Sequence, residues 1–322
     1  MSFSSQVKKE ITEHWGSTRE AWLAELAALL ESCAEIRLTP PRIRVQAENE
    51  AAVKKVFTLL QKTFNISMDV QDRKTQKGSR MKGRQGTVSD PRQVQEILEA
   101  VGFWKQEQGC WRYRTEPAPE LLASADGRRA YIRGAFLGSG SITDPEKNYH
   151  VEFLGETMEY ALRLQGLLET FGVASRVLER TRPGARKAFV LYLKDGSQIV
   201  DVLNIMEAHV ALMELENVRI LKEMRNQVNR QVNCETANLN KTVGAAVKQL
   251  EDIQLLEETH QLEMLPPALQ EMARVRREHP EEALNVLGRL LDPPIGKSGV
   301  NHRLKKLSQY AEEIRRKKGE VV

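Results

Sequence analysis

The side chains best suited to chemistry in this chain are Asn301, His302, Arg303, Lys305, Lys306 and Gln309, which crowd one side of a single C-terminal helical segment. Asparagine and glutamine pair with adenine edges, arginine with guanine, and lysine with phosphate, so this set is equipped to read double-stranded DNA. The residues between them set the spacing. Val300, Leu304, Leu307, Ala311 and Ile314 recur at i, i+4, i+7, i+11 and i+14, a helical stripe that must face a core and so turns the polar set outward. A helix with a merely solvated basic face is the plain alternative.

The segments upstream must hold that helix. The pattern predicts a helix over 243–259, with Ala246, Leu250, Ile253 and Leu256 along one side. Pro266 and Pro267 open a second helix, where proline is tolerated in the first turn, and Leu269, Met272, Ala273 and Val275 face its core. Pro280 separates this from a third helix over 281–291, in which Leu284, Leu287, Leu290 and Leu291 recur. The loop 292–297 follows, and Ser298 suits an N-cap. Short helix, loop and basic helix make a helix-turn-helix, here with a longer turn than usual. The candidate DNA-contacting set is Lys297, Ser298, Gly299, Val300, Asn301, His302, Arg303, Lys305 and Lys306, joined by Arg274, Arg276 and Arg277.

Charge distribution supports a polyanionic partner. The net charge of the 322 residues is only +4. Residues 71–92, however, carry seven basic side chains against two acidic, and residues 297–318 carry eight against two. Such concentration is the electrostatic footprint of nucleic acid. Arg73, Lys74, Lys77, Arg80, Lys82 and Arg84 are therefore secondary candidates for DNA contact. Hydrophobic content of 41% and charged content of 29% describe an ordinary globular chain. It has no run of about 18 apolar residues, so neither a membrane partner nor a span is expected. The three cysteines and six histidines are scattered without metal spacing, and no metal or cofactor is assigned.

A second pattern lies in the first two thirds. In the helical segment 132–142, Gly134 and Gly138 are one turn apart, a strip that lets another helix approach closely. The matching segment 26–36 has Ala28 and Ser32 in the same places. The duplication extends further: Leu60 matches Leu167, Phe64 matches Phe171, Val70 matches Val177, Val94 matches Ile199, and Ile97 matches Val202. Each half reads helix, strand pair, helix, strand pair, helix. The two halves would be sealed along a pseudo-two-fold axis by these four small residues.

These paired segments resemble the LAGLIDADG homing endonucleases over roughly residues 20 to 210. The resemblance implies an α+β fold of tandem αββαββα repeats forming a saddle-shaped sheet, followed here by an all-α helix-turn-helix domain. In that family the eighth motif position is a carboxylate that holds the catalytic divalent ion. Here the eighth positions are Cys33 and Ser139, and a thiol and a hydroxyl do not replace carboxylates for a hard cation. The scaffold is read as kept and the nuclease chemistry as lost, with no catalytic residue. A surviving nuclease would have to use Glu31, Glu35, Asp144 or Glu152.

The expected organisation is a helical extension over 1–19, the tandem domain over 20–215 with repeats at about 20–110 and 126–210, an extended linker over 216–242, and the helix-turn-helix domain over 243–322. The linker reading rests on residues 217–240, where the asparagine-rich run 226–238 suits an extended linker or an interdomain surface and the basic start, Arg219 to Arg230, would touch DNA phosphates. Together the degenerate tandem, the segment 229–238 and the ending 291–304 resemble the WhiA family along the whole chain. The helix-turn-helix itself looks like the DNA-reading region of a bacterial sigma factor more than that of a repressor. WhiA membership implies a cytoplasmic, nucleoid-associated DNA-binding transcription regulator linked to sporulation, cell division and chromosome segregation in Gram-positive bacteria. A scaffold that binds transcription or cell-division proteins through the tandem domain is the other reading.

Overall fold

The computed structural model describes residues 2–47, 50–72, 84–107, 110–181, 187–317 and 319. They form two compact units, Met1–Glu223 and Met224–Val322. In the first, Ser2 caps helix α1 (Phe3–Glu13), which buries Phe3, Val7 and Ile11 in the core of that unit. The expected N-terminal extension is thus part of the tandem body.

The first repeat runs α2 (Arg19–Cys33), β1 (Ala34–Leu38), β2 (Pro41–Ala47), α3 (Glu50–Phe64), β3 (Asp69–Asp72), β4 (Arg84–Val88) and α4 (Pro91–Val101). A small hairpin of β5 (Trp104–Glu107) and β6 (Cys110–Tyr113) follows it. The second repeat runs α5 (Ala125–Ser139), β7 (Gly140–Ile142), β8 (Val151–Gly155), α6 (Met158–Glu169), β9 (Arg176–Arg180), β10 (Ala188–Leu193) and α7 (Gly196–Ile205). The two antiparallel sheets have the same order, β1-β2-β4-β3 and β7-β8-β10-β9. This is the tandem αββαββα architecture that the duplicated sequence implies.

The small-residue strips meet as expected. Helices α2 and α5 pack on one another, and the runs Leu23–Leu30 and Ala130–Leu137 are buried throughout. A Cβ on Gly134 would collide with the backbone carbonyl of Glu25 and lie 3.0 Å from the Ala28 Cβ. One on Gly138 would strike the Ser32 side chain. Glycine is required at 134 because the helix backbones approach too closely for anything larger, whereas at 138 the Ser32 side chain sets the limit.

Helix α8 (His209–Glu258) corrects the linker expectation. Residues 216–242 are helical throughout, inside one element of 50 residues. The asparagine count points to a broken chain, but the segment contains neither proline nor glycine. Nothing in it stops a helix, since asparagine costs far less than proline in a helix interior. The second unit ends with α9 (Pro267–Glu278), α10 (Leu284–Arg289) and α11 (Lys297–Lys317). Ile253 and Leu256 of α8 join Leu269, Met272, Ala273, Val275, Leu287, Leu291, Val300, Leu304, Leu307 and Ala311 in a separate core.

Candidate nucleic-acid interface

The stripe of α11 faces this second core, with Val300, Leu304, Leu307 and Ala311 fully buried and Ile314 partly so. The opposite side is then fixed by helical geometry. Asn301, His302, Lys305, Lys306 and Gln309 are exposed, as are Lys297 and Ser298 at the start. Arg303 is half-buried, and its Nη1 donates to the Ala268 carbonyl at 3.4 Å. One face therefore offers amide, imidazole, guanidinium and ammonium groups, and no carboxylate lies between Lys297 and Ala311.

The turn before α11 depends on a close approach. The Ile295 N–H donates to the Gly288 carbonyl at 2.9 Å, and a Cβ on Gly288 would run into the Ile295 carbonyl oxygen. Glycine at 288 lets the loop fold back on α10. The first bond of α11 runs from the Val300 N–H to the Gly296 carbonyl at 3.1 Å. Ser298, expected as the cap, is instead in the first turn, and Gly296 takes the cap position, where glycine is also accepted. Helix α10 is shorter than the expected 281–291. The Arg276 guanidinium holds the Glu282 carbonyl at 2.9 Å, and the Val286 N–H bonds to Ala283, so the helix starts late.

Two residues of the candidate set are not on the surface. Val300 is in the core, because it belongs to the apolar stripe. Arg276 is 3% exposed and ties α9 to the α9–α10 connection, and burial lowers its pKa. Both are structural residues. Arg274 and Arg277 are exposed but already paired, with Glu278 at 3.2 Å and Glu257 at 2.6 Å. Gly299 is half-buried, and a Cβ there would lie 3.1 Å from the Ile295 side chain. Of the secondary candidates, Arg73, Lys74, Lys77, Arg80 and Lys82 lie outside the described residues. Arg84 is on β4, 3.6 Å from Glu50.

The ends of α2 and α5 do not fit the divalent ion of a homing endonuclease. The Cys33 thiol donates to the Leu29 carbonyl at 3.0 Å, and burial pushes its pKa up to about 12. The Ser139 hydroxyl donates back to Ala135 at 3.4 Å. Glu31, the carboxylate nearest a surviving-nuclease reading, is held by Arg163 and by the Tyr131 hydroxyl. Burial raises its pKa against the pull of Arg163. Glu35 pairs with Arg37 at 2.7 Å, Glu152 pairs with Arg180 at 3.4 Å, and Asp144 accepts from the Glu146 N–H at 3.0 Å. Among the described residues no three His, Cys, Asp or Glu side chains are grouped to hold a metal.

Sequence reasoning missed a charged network in the tandem core. Glu25, Lys55 and Arg133 are at most 1% exposed. Glu25 Oε1 lies 3.4 Å from both Arg133 Nε and Lys55 Nζ. Arg133 Nη1 reaches Glu207 at 2.7 Å, and His14 Nε2 lies 3.2 Å from the same carboxylate. The only sequence signal was a charge inside each otherwise apolar motif helix. Glu31–Arg163 likewise joins residues 132 apart.

Comparison with known proteins matches this layout. The WhiA N-terminal LAGLIDADG-like domain matches residues 19–104, the WhiA LAGLIDADG-like domain 128–225, and the WhiA C-terminal HTH domain 228–311. The chain is 43% identical over 317 residues to a probable cell division protein WhiA of Clostridium perfringens strain 13, covering 98% of this chain and 99% of that one. It is 42% identical over 317 residues to the protein of the same name from Clostridium botulinum strain Eklund 17B, with the same coverage. Among solved structures, full-length DUF199/WhiA from Thermatoga maritima has the same fold, with a TM-score of 0.57 and 22% identity over 97% of this chain and 99% of that one.

Proposed function

The chain belongs to the WhiA family, and we propose that it is a sequence-specific DNA-binding transcription regulator that reads a major groove with α11. The observation that carries this is the two-sidedness of α11. Its apolar stripe is closed in the core, while Asn301, His302, Lys305 and Lys306 are exposed on the reverse. A major groove admits one α-helix, and these groups pair with base edges and phosphates. In this reading Ser298, Asn301, His302 and Arg303 approach bases, and Lys305 and Lys306 neutralise phosphates. The relatives' name, cell division protein, supports a role for the regulated genes in division; sporulation and chromosome segregation extend it. The protein would work in the cytoplasm, on the nucleoid, without nuclease activity.

The test is binding of the full chain to duplexes selected from a randomised pool, across a salt series. Lys305→Ala with Lys306→Ala should lower the slope of log affinity against log salt by about two, since each phosphate contact contributes roughly 0.9. An unchanged slope and affinity would remove α11 from the interface.

A second reading concerns the tandem unit. On the outer face of its second sheet, Leu154, Val190 and Leu178 form one cross-strand row. Leu154 is 46% exposed and Leu178 52%, on either side of a buried Val190. Such a row favours a protein partner from the transcription or division machinery over a phosphate backbone. Co-elution with that machinery, lost on Leu178→Arg while DNA affinity is kept, is the expected result.

A further inference from the structure

Helix α8 carries a face that the reading of α11 leaves unused. From 224 to 245 every residue is exposed, so this stretch has no core of its own to cover. Asn226, Asn229, Arg230, Asn233, Ala237 and Asn240 fall at i, i+3, i+4, i+7, i+11 and i+14, one continuous side of the helix. Met224, Val228, Val232 and Leu239 lie around the other side. Between Met224 and Lys248 there are four basic residues, Arg225, Arg230, Lys241 and Lys248, and one acid, Glu235, which is off the asparagine side and bonded to Gln231 at 3.0 Å.

A solvated helix face does not account for this composition. Asparagine is among the weaker helix formers, and a spacer helix in water is better served by Glu, Lys, Arg or Ala. Among the described residues the side chains of Asn226, Asn229, Arg230, Asn233 and Asn240 make no hydrogen bond within the chain. Four amides, each able to donate and accept at once, are thus presented in line on an acid-free helix surface.

We propose that this side of α8 is a second DNA-reading element, lying in a major groove with its asparagines on adenine edges and Arg230 and Lys241 on guanine or phosphate. The bidentate match of an amide to adenine N6 and N7 is the chemistry that recommends asparagine there. A-form RNA is the poorer fit, because its major groove is too deep and narrow for a helix to read. The proposal rests on the chain being a DNA-binding protein but not on α11 being the reader.

The experiment uses the full chain and duplexes selected from a randomised pool, with an unselected duplex and an RNA duplex as controls. Asn226→Ala, Asn229→Ala and Asn233→Ala are combined in one variant. Alanine raises helix propensity, so circular dichroism should show undiminished helicity and unfolding does not explain a loss. The expected result is about tenfold or greater weakening on selected duplexes for each adenine pair lost, with little change on the unselected duplex. The salt slope should be unchanged, since asparagine is neutral. Equal affinity for variant and wild type on every DNA, or an effect confined to RNA, overturns the proposal. Arg303→Ala is measured in parallel. If it keeps full sequence preference while the asparagine variant loses it, the α11 reading fails and this one stands.

Discussion

Arg133 Nε lies 3.4 Å from Glu25 Oε1 in the middle of the tandem unit, with neither side chain exposed at all. The two come from the helices that carry the small-residue strips, so the seam joining the repeats is closed by an ion pair as well as by glycine. Burial raises the Glu25 pKa, and Arg133 and Lys55 pull it back. Removing one member of such a set strands the others away from water. Arg133→Met should therefore cost about 3–5 kcal/mol of unfolding free energy in a denaturant titration. A loss below about 1 kcal/mol would mean that water or a rearranged Lys55 already satisfies Glu25.

The edge of the same network responds to pH. Burial, then the Arg133 charge, lowers the His14 pKa from its ordinary 6.5, despite the Glu207 carboxylate; Lys55 and His209 also oppose protonation. The folded protein thus binds a proton at His14 less readily than the unfolded chain. The stability from keeping this imidazole neutral is present above pH 6.5 and is lost as pH falls through the lowered folded value. Thermal melts from neutral to mildly acidic pH should show a decline in the wild type and a shallower one in His14→Gln. Parallel curves for the two proteins would exclude His14 as the source.

Glycine substitutions should separate two kinds of close contact. Gly134→Ala places a methyl group against the Glu25 backbone carbonyl, which has no room to move. Gly138→Ala meets the Ser32 side chain instead. Both should destabilise by about 1–3 kcal/mol, outweighing the gain in helix propensity. Ser32→Gly should rescue Gly138→Ala but not Gly134→Ala. Rescue of both, or of neither, would show that the helices part as a unit rather than clash locally.

The nuclease alternative and the structural role of Glu31 make opposite predictions. Glu31 neutralises Arg163 and accepts from the Tyr131 hydroxyl. Glu31→Ala should lower stability by about 3 kcal/mol or more, and plasmid incubated with Mg²⁺ or Mn²⁺ should stay intact with either protein. Nicking by the wild type that Glu31→Ala abolishes would restore a catalytic reading.

On α11 the side chains should divide by role. Asn301→Ala should cost about 1–3 kcal/mol on a selected duplex and relax preference at one base pair. Lys306→Ala should weaken binding to all sequences alike and reduce the salt slope by about one. The measurement is a competition series against single-base variants of the selected duplex. Sequence-uniform losses from Asn301→Ala would reduce it to a backbone contact.

Patterns confined to one helix were legible without coordinates. The recurrence of Val300, Leu304, Leu307 and Ala311 placed the core side of α11, and Gly134 and Gly138 against Ala28 and Ser32 announced the seam of a duplicated fold. Both follow from local periodicity, which the chain carries in its residue order. Other features were settled by packing between distant segments. Glu25, Lys55 and Arg133 look like ordinary charges until three helices enclose them. Glu31 looks like a spare carboxylate until Arg163 arrives from 132 residues away. Arg276 was grouped with the exposed basic residues, yet the connection to α10 buries it. Residues 216–242 look extended by composition, yet no helix breaker interrupts them and they are helical. A residue's type sets what its side chain can do; whether it meets water or a partner is decided by long-range contacts that spacing along the chain does not encode.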